Sequence, residues 1–290
     1  MRPFQVTDVR VHPGDSAFLL DNGINAILYD TGFGFTGYGV AEKVKSVLKG
    51  RSLDCIFLTH SHYDHALGSA YIKAIFPEAK VVAGEYAAKI FQKPSAKAVM
   101  WDLDTKFAAA NGVFDCENKT DALSVDIPVA DGDTLSVGNN TFTVINLPGH
   151  TRCSVGYYCA EEKLLLGCET LGVFNGKDDV VPSYLVGVQM TFDSINRVKE
   201  LDVERILVPH FGVLEGEAAK TYLDLSEKRA HWVADEIQKQ LRSGCSDEEI
   251  MAWFKNEFYR DYIKTIYPID AMELNTSIMI NLIKKERAGE

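Results

Sequence analysis

The stretch Thr59-His60-Ser61-His62-Tyr63-Asp64-His65 directly follows the apolar run Cys55-Ile56-Phe57-Leu58. Three histidines and one aspartate thus fall within six residues at the end of a segment that reads as a buried strand. Imidazole and carboxylate are ligands that a borderline divalent ion such as zinc prefers, and a strand end holds them on a rigid scaffold. A polar turn that happens to be rich in histidine is the plainer alternative. Three of the seven histidines lie here, however, and folding alone seldom needs such clustering.

At 290 residues the chain is long enough for one large domain or two ordinary ones. With 46% apolar and 24% charged residues it reads as a soluble globular protein, and no apolar run approaches the roughly 20 residues that span a bilayer. A membrane partner is not expected. The start Met1-Arg2-Pro3-Phe4-Gln5 lacks the apolar core and cleavage site of a signal peptide. A formal charge of −11 and the lack of a Lys/Arg cluster disfavour nucleic acid, so a small-molecule substrate is expected. The six cysteines, Cys55, Cys116, Cys153, Cys159, Cys168 and Cys245, form no CxxC pair, which suits a reduced, cytoplasmic setting.

Along the first half, β-type and helical runs alternate. Short strands over Gln5 to Val11 and Ala17 to Asp30 are broken by Pro13-Gly14 and Asn22-Gly23, as in a meander. Asp30-Thr31-Gly32-Phe33-Gly34 is a glycine-rich turn without the GK[ST] of a phosphate loop, so a conformational role is expected. Helices are expected over Val40 to Leu48, Ala66 to Phe76 and Glu85 to Gln92, with strands at Leu53 to Leu58 and Val81 to Ala83. Residues 94–119 interrupt this alternation and read as a partly helical insertion, either a surface hairpin or a lid carrying Trp101.

Strands then resume over Val125 to Val129, Thr134 to Val137, Thr141 to Leu147, Ser154 to Cys159 and Lys163 to Leu166. Two of these lead into His150 and Glu169, and a later strand, Arg205 to Pro209, leads into His210. Four strand ends therefore present metal-binding side chains. In layered α/β architectures the strand ends are where loops from distant parts of the sequence converge. Beyond Glu215 the sequence is almost purely helical: Ala218 to Leu241, a capped start at Ser246-Asp247-Glu248-Glu249 running to Tyr259, and Asp270 to Lys285. His12 and His231 read as structural, and the cysteines as small buried hydrophobes.

HSHYDH at 60–65, PGHT at 148–151, an acidic residue after the next hairpin and a late strand ending in His210 together resemble the metallo-β-lactamase-fold hydrolases. The resemblance covers about residues 4 to 215, and the helices beyond resemble the appendage of glyoxalase II, lactonases and the quinolone-pathway thioesterase. It implies an α/β fold, the αββα sandwich, with a core over 1–215 and a C-terminal helical appendage over 216–290 packed on it. It also implies two divalent ions, zinc first and iron or manganese as alternatives. His60, His62 and His150 would hold the first ion, Asp64, His65 and His210 the second, and Glu169 would bridge them.

The sequence departs from the family at Glu169, where the bridging residue is usually aspartate. One extra methylene adds about 1.5 Å of reach. A backbone shift, another carboxylate mode or a changed metal spacing would absorb it, and a monodentate Glu169 or a single well-held ion is the alternative. After PGHT the chain has Arg152-Cys153-Ser154 where many relatives have Pro-Gly-Ser. Arg152 is either a carboxylate binder for substrate or an outward surface residue.

The resemblance implies a metal-bound hydroxide attacking a thioester or lactone, with Asp64 as ligand and proton shuttle. Phosphodiester hydrolysis is the runner-up. A non-haem iron oxidoreductase of the sulfur-dioxygenase type and a non-catalytic regulator are the readings from other classes. Trp101, Arg152, Phe174 and Tyr184 are the candidate substrate contacts, and the C-terminal helices offer a surface for a homodimer.

Overall fold

The computed structural model describes residues 2–287, and these fall into two compact units. The first runs to Asn146 and adds Val155–Leu166. Its elements are β1 (Gln5–Asp8), β2 (Phe18–Asp21), β3 (Ala26–Tyr29), α1 (Gly37–Leu48), β4 (Cys55–Phe57), α2 (Tyr63–Ala66), α3 (Ser69–Ile75), β5 (Lys80–Gly84), α4 (Glu85–Phe91), α5 (Pro94–Ala110), β6 (Ile127–Val129), β7 (Thr134–Val137), β8 (Asn140–Asn146), β9 (Val155–Cys159) and β10 (Leu164–Leu166).

Strands β1 to β6 form a sheet in sequence order. The meander β1-β2-β3 is antiparallel, whereas β3-β4, β4-β5 and β5-β6 are parallel. Parallel neighbours need crossovers, and the helices α1 to α5 supply them. Central strands covered on both faces read as unbroken apolar runs, and all four residues of β3 are fully buried. Strands β7 to β10 make a second, antiparallel arrangement in the order β10-β9-β8-β7. Phe57 of β4 stacks on Tyr157 of β9 at 4.5 Å, and the Tyr157 hydroxyl donates to Leu58 O at 2.8 Å.

The helix expected over Ala66 to Phe76 is α3, which starts three residues later than expected and follows the separate short helix α2. Between α2 and α3 the Gly68 N–H donates to Gly32 O, so the glycine-rich turn after β3 interrupts the helix. Within the 94–119 insertion, α5 covers the first 17 residues. Its Phe107 packs against Phe33, Phe35 and His12, in a cluster that also takes in Tyr63.

Asp104 of α5 is fully buried and accepts the Gly34 and Phe35 N–H groups at 2.7 and 3.1 Å. Burial pushes its carboxyl up to about 7, against the pull of those two hydrogen bonds, with the charges of Asp15 and Asp64 adding to the rise. A folded-state value above the unfolded one means that the native state binds the extra proton. Stability from this group is therefore full below the ordinary carboxyl range and declines as pH rises toward 7. Fluorescence of Trp101, on the same helix, is expected to change with a midpoint near pH 7 and to lose that transition in Asp104→Asn. An identical transition in the variant would assign it elsewhere.

The second unit comprises Leu147–Ser154 and the chain from Gly167 onward. It holds β11 (Val173–Phe174), β12 (Val180–Val181), α6 (Val188–Lys199), β13 (Arg205–Val208), β14 (Gly212–Glu215), α7 (Glu217–Arg242), α8 (Asp247–Phe258), α9 (Asp261–Ile266) and α10 (Ile269–Glu286). The strands pair as two hairpins, β11-β12 and β13-β14. Helix α7 buries Tyr222, Leu223, Ala230, Val233 and Ile237 on one face, the 3.6-residue periodicity of an amphipathic helix, and packs on β12, β14 and α6. The expected cap at Ser246 is a full capping box: Ser246 Oγ accepts the Glu249 N–H and Glu249 Oε2 accepts the Ser246 N–H. Arg229 of α7 forks onto Asp179 at 2.5 Å and stacks over Trp232 at 4.7 Å. Glu215 lies within this unit. Among the described residues no helix is long and apolar enough to cross a membrane.

Candidate metal centre

In the first unit, His60 and His62 flank a bend at Ser61, and α2 begins at Tyr63. Their rings lie 4.6 Å apart by centroids, and those of His60 and His65 lie 4.1 Å apart. Within α2, Asp64 Oδ2 stands 3.6 Å from His65 Nε2. The loop after β3 braces this turn, because both the Thr31 N–H and hydroxyl donate to His65 O at 2.8 Å.

Asp30 is the hub beneath these side chains. Its carboxylate is fully buried and accepts from Ser16 Oγ at 2.8 Å, from the Thr59 N–H at 2.8 Å and from Thr59 Oγ1 at 3.1 Å. It also stands 2.8 Å from His65 Nδ1. A carboxylate accepts only, so Nδ1 of His65 carries the hydrogen and Nε2 presents its lone pair. Thr59 donates its hydroxyl hydrogen to Asp30 and accepts from His60 Nδ1 at 3.0 Å, which sets the same tautomer in His60.

The second unit presents His150, Glu169 and His210, all at most 2% exposed. His150 follows Gly149, whose φ of +148° and close approach to Thr191 and Thr170 leave no room for a side chain. Thr170 Oγ1 accepts the His150 N–H and donates to Leu147 O, while Ser194 Oγ holds Pro148 O at 2.7 Å. His150 Nδ1 lies 2.9 Å from Ser183 O, an acceptor, so here too the hydrogen is on Nδ1. Glu169 opens a short 3-10 turn that follows β10 after Gly167 and Cys168. Its Oε2 is 2.8 Å from His150 Nε2 and its Oε1 is 3.4 Å from His210 Nε2.

The donor set fits divalent ions. His150 Nε2 and the Glu169 carboxylate oxygen 2.8 Å from it are two donor atoms that one divalent cation can take up together. Two ligands of one tetrahedral zinc ion stand about 3.3 Å apart when each bond is about 2.0–2.1 Å. The potential metal ligands among the described residues are His60, His62, Asp64 and His65 in the first unit and His150, Glu169 and His210 in the second. Every side chain is one whose chemistry suits zinc, iron or manganese.

The sequence profile of the Metallo-beta-lactamase superfamily matches residues 13–210. The chain belongs to this superfamily. Among curated proteins it is similar to "Glyoxylase B2" of Dictyostelium discoideum, 31% identical over 151 residues, which are 51% of this chain and 46% of that one. It is also similar to a hydroxyacylglutathione hydrolase of Francisella tularensis subsp. holarctica, 27% identical over 150 residues, 52% of this chain and 46% of that one. The chain thus spans about half the length of these relatives. Of solved structures, a metallo-beta-lactamase family protein of Thermus thermophilus superposes with a TM-score of 0.65 at 17% identity, over 94% of this chain and 88% of that one. An archaeal superfamily protein of Sulfolobus tokodaii gives 0.61 at 16%, over 98% and 99%. The fold is the mixed α/β sandwich of the superfamily, with two β-sheets and a C-terminal helical region.

Against this superfamily frame, the remaining candidate residues differ in accessibility. Arg152 is exposed and Trp101 half-buried on α5. Phe174 is buried edge-on against Phe211 at 4.7 Å, next to His210. Tyr184 is wholly enclosed in the second unit, and burial drives its phenol pKa up. His12 accepts the Gly14 N–H and packs among phenylalanines, and His231 stacks on Phe192 at 3.8 Å. No disulfide joins any of the six cysteines, and burial pushes Cys55 and Cys159 up to about 11, so neither is a reactive thiolate near neutral pH.

Asp30 and Ser183 carry no comparable signal in the sequence taken alone. Asp30 is legible in principle, since β3 and β4 pair in parallel with Tyr29 opposite Phe57, which sets Asp30 beside Thr59. Nothing near Ser183 in sequence announces its contact with a histidine 33 positions earlier.

Proposed function

We propose that this chain is a metal-dependent hydrolase of small ester-type substrates. In this reading His60, His62 and His150 hold one divalent ion, Asp64, His65 and His210 a second, and Glu169 bridges them. The observation that carries it is the Glu169 carboxylate, which turns one oxygen to His150 and the other to His210. The extra methylene relative to aspartate does not prevent that reach. Zinc is the proposed ion. Two divalent ions, when bound, supply a hydroxide nucleophile near neutral pH and a Lewis acid for the substrate carbonyl.

The chain's own groups have distinct tasks. Asp30, Thr59 and Ser183 hold the Nδ1 hydrogens of His65, His60 and His150, so each imidazole offers Nε2. Asp64, with 20% of its side chain open to solvent, is the carboxylate able to exchange protons and return one to the leaving group. The exposed Arg152 takes an anionic end of the substrate, and Trp101 on α5 covers the acyl group. Phe174 and Tyr184, buried within the second unit, act as packing there rather than as direct substrate contacts. The relatives named hydroxyacylglutathione hydrolase favour an acylated thiol over a lactone.

A screen of thioesters, lactones and phosphodiesters with the zinc-loaded chain tests this reading. Thioesters are expected to give the highest kcat/KM, and Arg152→Ala is expected to raise KM about tenfold for anionic thioesters while sparing neutral ones. Phosphodiesters as best substrates would replace the proposed reaction. Oxygen consumption by an iron-loaded chain without hydrolysis would replace the reaction class.

A further inference from the structure

We infer that Tyr262, on the short helix α9, is a positioning residue for His210, and that it ties metal retention to the seating of the C-terminal helices. The inference rests on the reading of His210 as a ligand of the second ion. His210 lies in the three-residue connection between β13 and β14, where Val208 pairs with Gly212. Its φ is +61°, in the left-handed region that histidine enters more readily than most residues but still at a cost. A backbone in that region persists when its surroundings over-determine it.

Two hydrogen bonds do so. The Phe211 N–H donates to Val208 O at 3.3 Å, closing the turn from within. The Tyr262 hydroxyl donates to the carbonyl oxygen of His210 itself. That second bond fixes the peptide plane that follows the histidine, and with it the direction in which the imidazole leaves the backbone.

The ring of Tyr262 is held in turn. Phe211 meets it nearly edge-on, with centroids 6.3 Å apart. On another side it lies against the backbone of Gly176, where a Cβ would stand 3.3 Å from the ring. Helix α9 is seated by Ile263 and Ile266, both buried. Ile263 faces a small apolar cavity shared with Phe254 of α8 and Met272 and Met279 of α10. The chain of contacts therefore runs from the packed C-terminal helices through one hydroxyl to the backbone of a ligand. Partners of this kind orient the first ligands and change metal affinity.

Tyr262→Phe keeps the ring and removes only the hydroxyl. Full-length parent, Tyr262→Phe and His210→Ala proteins are loaded with zinc and titrated with a chelator. Metal per chain, Tm with and without zinc, kcat and KM are followed. In Tyr262→Phe one of the two ions is expected to leave at about tenfold higher free zinc than in the parent, while the other leaves at the parental value. The zinc-free Tm is expected to stay at the parental value while the gain in Tm on zinc binding shrinks, and kcat to fall with KM unchanged. A merely structural tyrosine would lower both Tm values equally. Parental retention of both ions by Tyr262→Phe, with His210→Ala losing one, overturns the positioning role. Retention of both ions by His210→Ala overturns instead the ligand reading beneath it.

Discussion

Glu169→Gln is expected to lose at least one ion and more than about 100-fold in kcat/KM, beyond the roughly 10–100-fold typical of residues that only support a ligand. The amide keeps the length of the side chain but has one oxygen, so its nitrogen must face either His150 Nε2 or His210 Nε2, which lie 2.8 and 3.4 Å from the present oxygens. An amide nitrogen cannot bind a metal, and the negative charge that offsets the ions is gone. Glu169→Asp separates length from charge. It restores the residue usual in the family, yet it withdraws the carboxylate by about 1.5 Å from a loop built for the longer side chain. Its activity is expected to fall between those of the parent and Glu169→Gln. Parental activity in Glu169→Gln, measured with metal content, would remove Glu169 from the centre.

Asp30→Asn is the second substitution expected to act strongly, although Asp30 touches no substrate in the proposed reaction. Its two oxygens serve Ser16, Thr59 and His65. With one oxygen replaced by NH2, either His65 Nδ1 or the Thr59 N–H is left facing a donor. If His65 yields, its hydrogen moves to Nε2, the nitrogen needed for the ion. Metal affinity is expected to fall about 10–100-fold. Asp30→Ala leaves several buried donors without an acceptor and is expected to cost about 3–5 kcal/mol of stability, as for a buried pair broken on one side. Chemical denaturation of the zinc-free protein reads that loss separately from metal binding. Parental zinc affinity in Asp30→Asn would show that the His65 tautomer does not depend on it.

The candidate ligands are legible in sequence because their signal is local or sits at a strand end. HSHYDH needs no tertiary information, and PGHT, Glu169 and His210 each follow an apolar run. The long helix α7 is equally plain from its spacing. What escapes a sequence reading depends on contacts distant along the chain. Helix α6 buries Thr191 and Ser194 on its inner face, where their hydroxyls donate to Gly187 O and Pro148 O, so the apolar periodicity is interrupted by polar residues that the fold satisfies. Strands β11 and β12 are two residues long, too short for any alternation to register. The break between α2 and α3 comes from Gly32 O, and the role of Asp30 from the parallel pairing of β3 with β4. Ser183 and Tyr262 act on histidines 33 and 52 positions away.

The central claim is that the seven side chains proposed as ligands hold a pair of divalent ions. Metal content of the chain purified without added metal, read beside that of His150→Ala, tests it most directly. Two divalent ions per chain are expected in the parent and one in the variant, with thioester hydrolysis only at the full complement. A parent that hydrolyses thioesters with no bound metal, or a His150→Ala variant that keeps both ions and full activity, would contradict it.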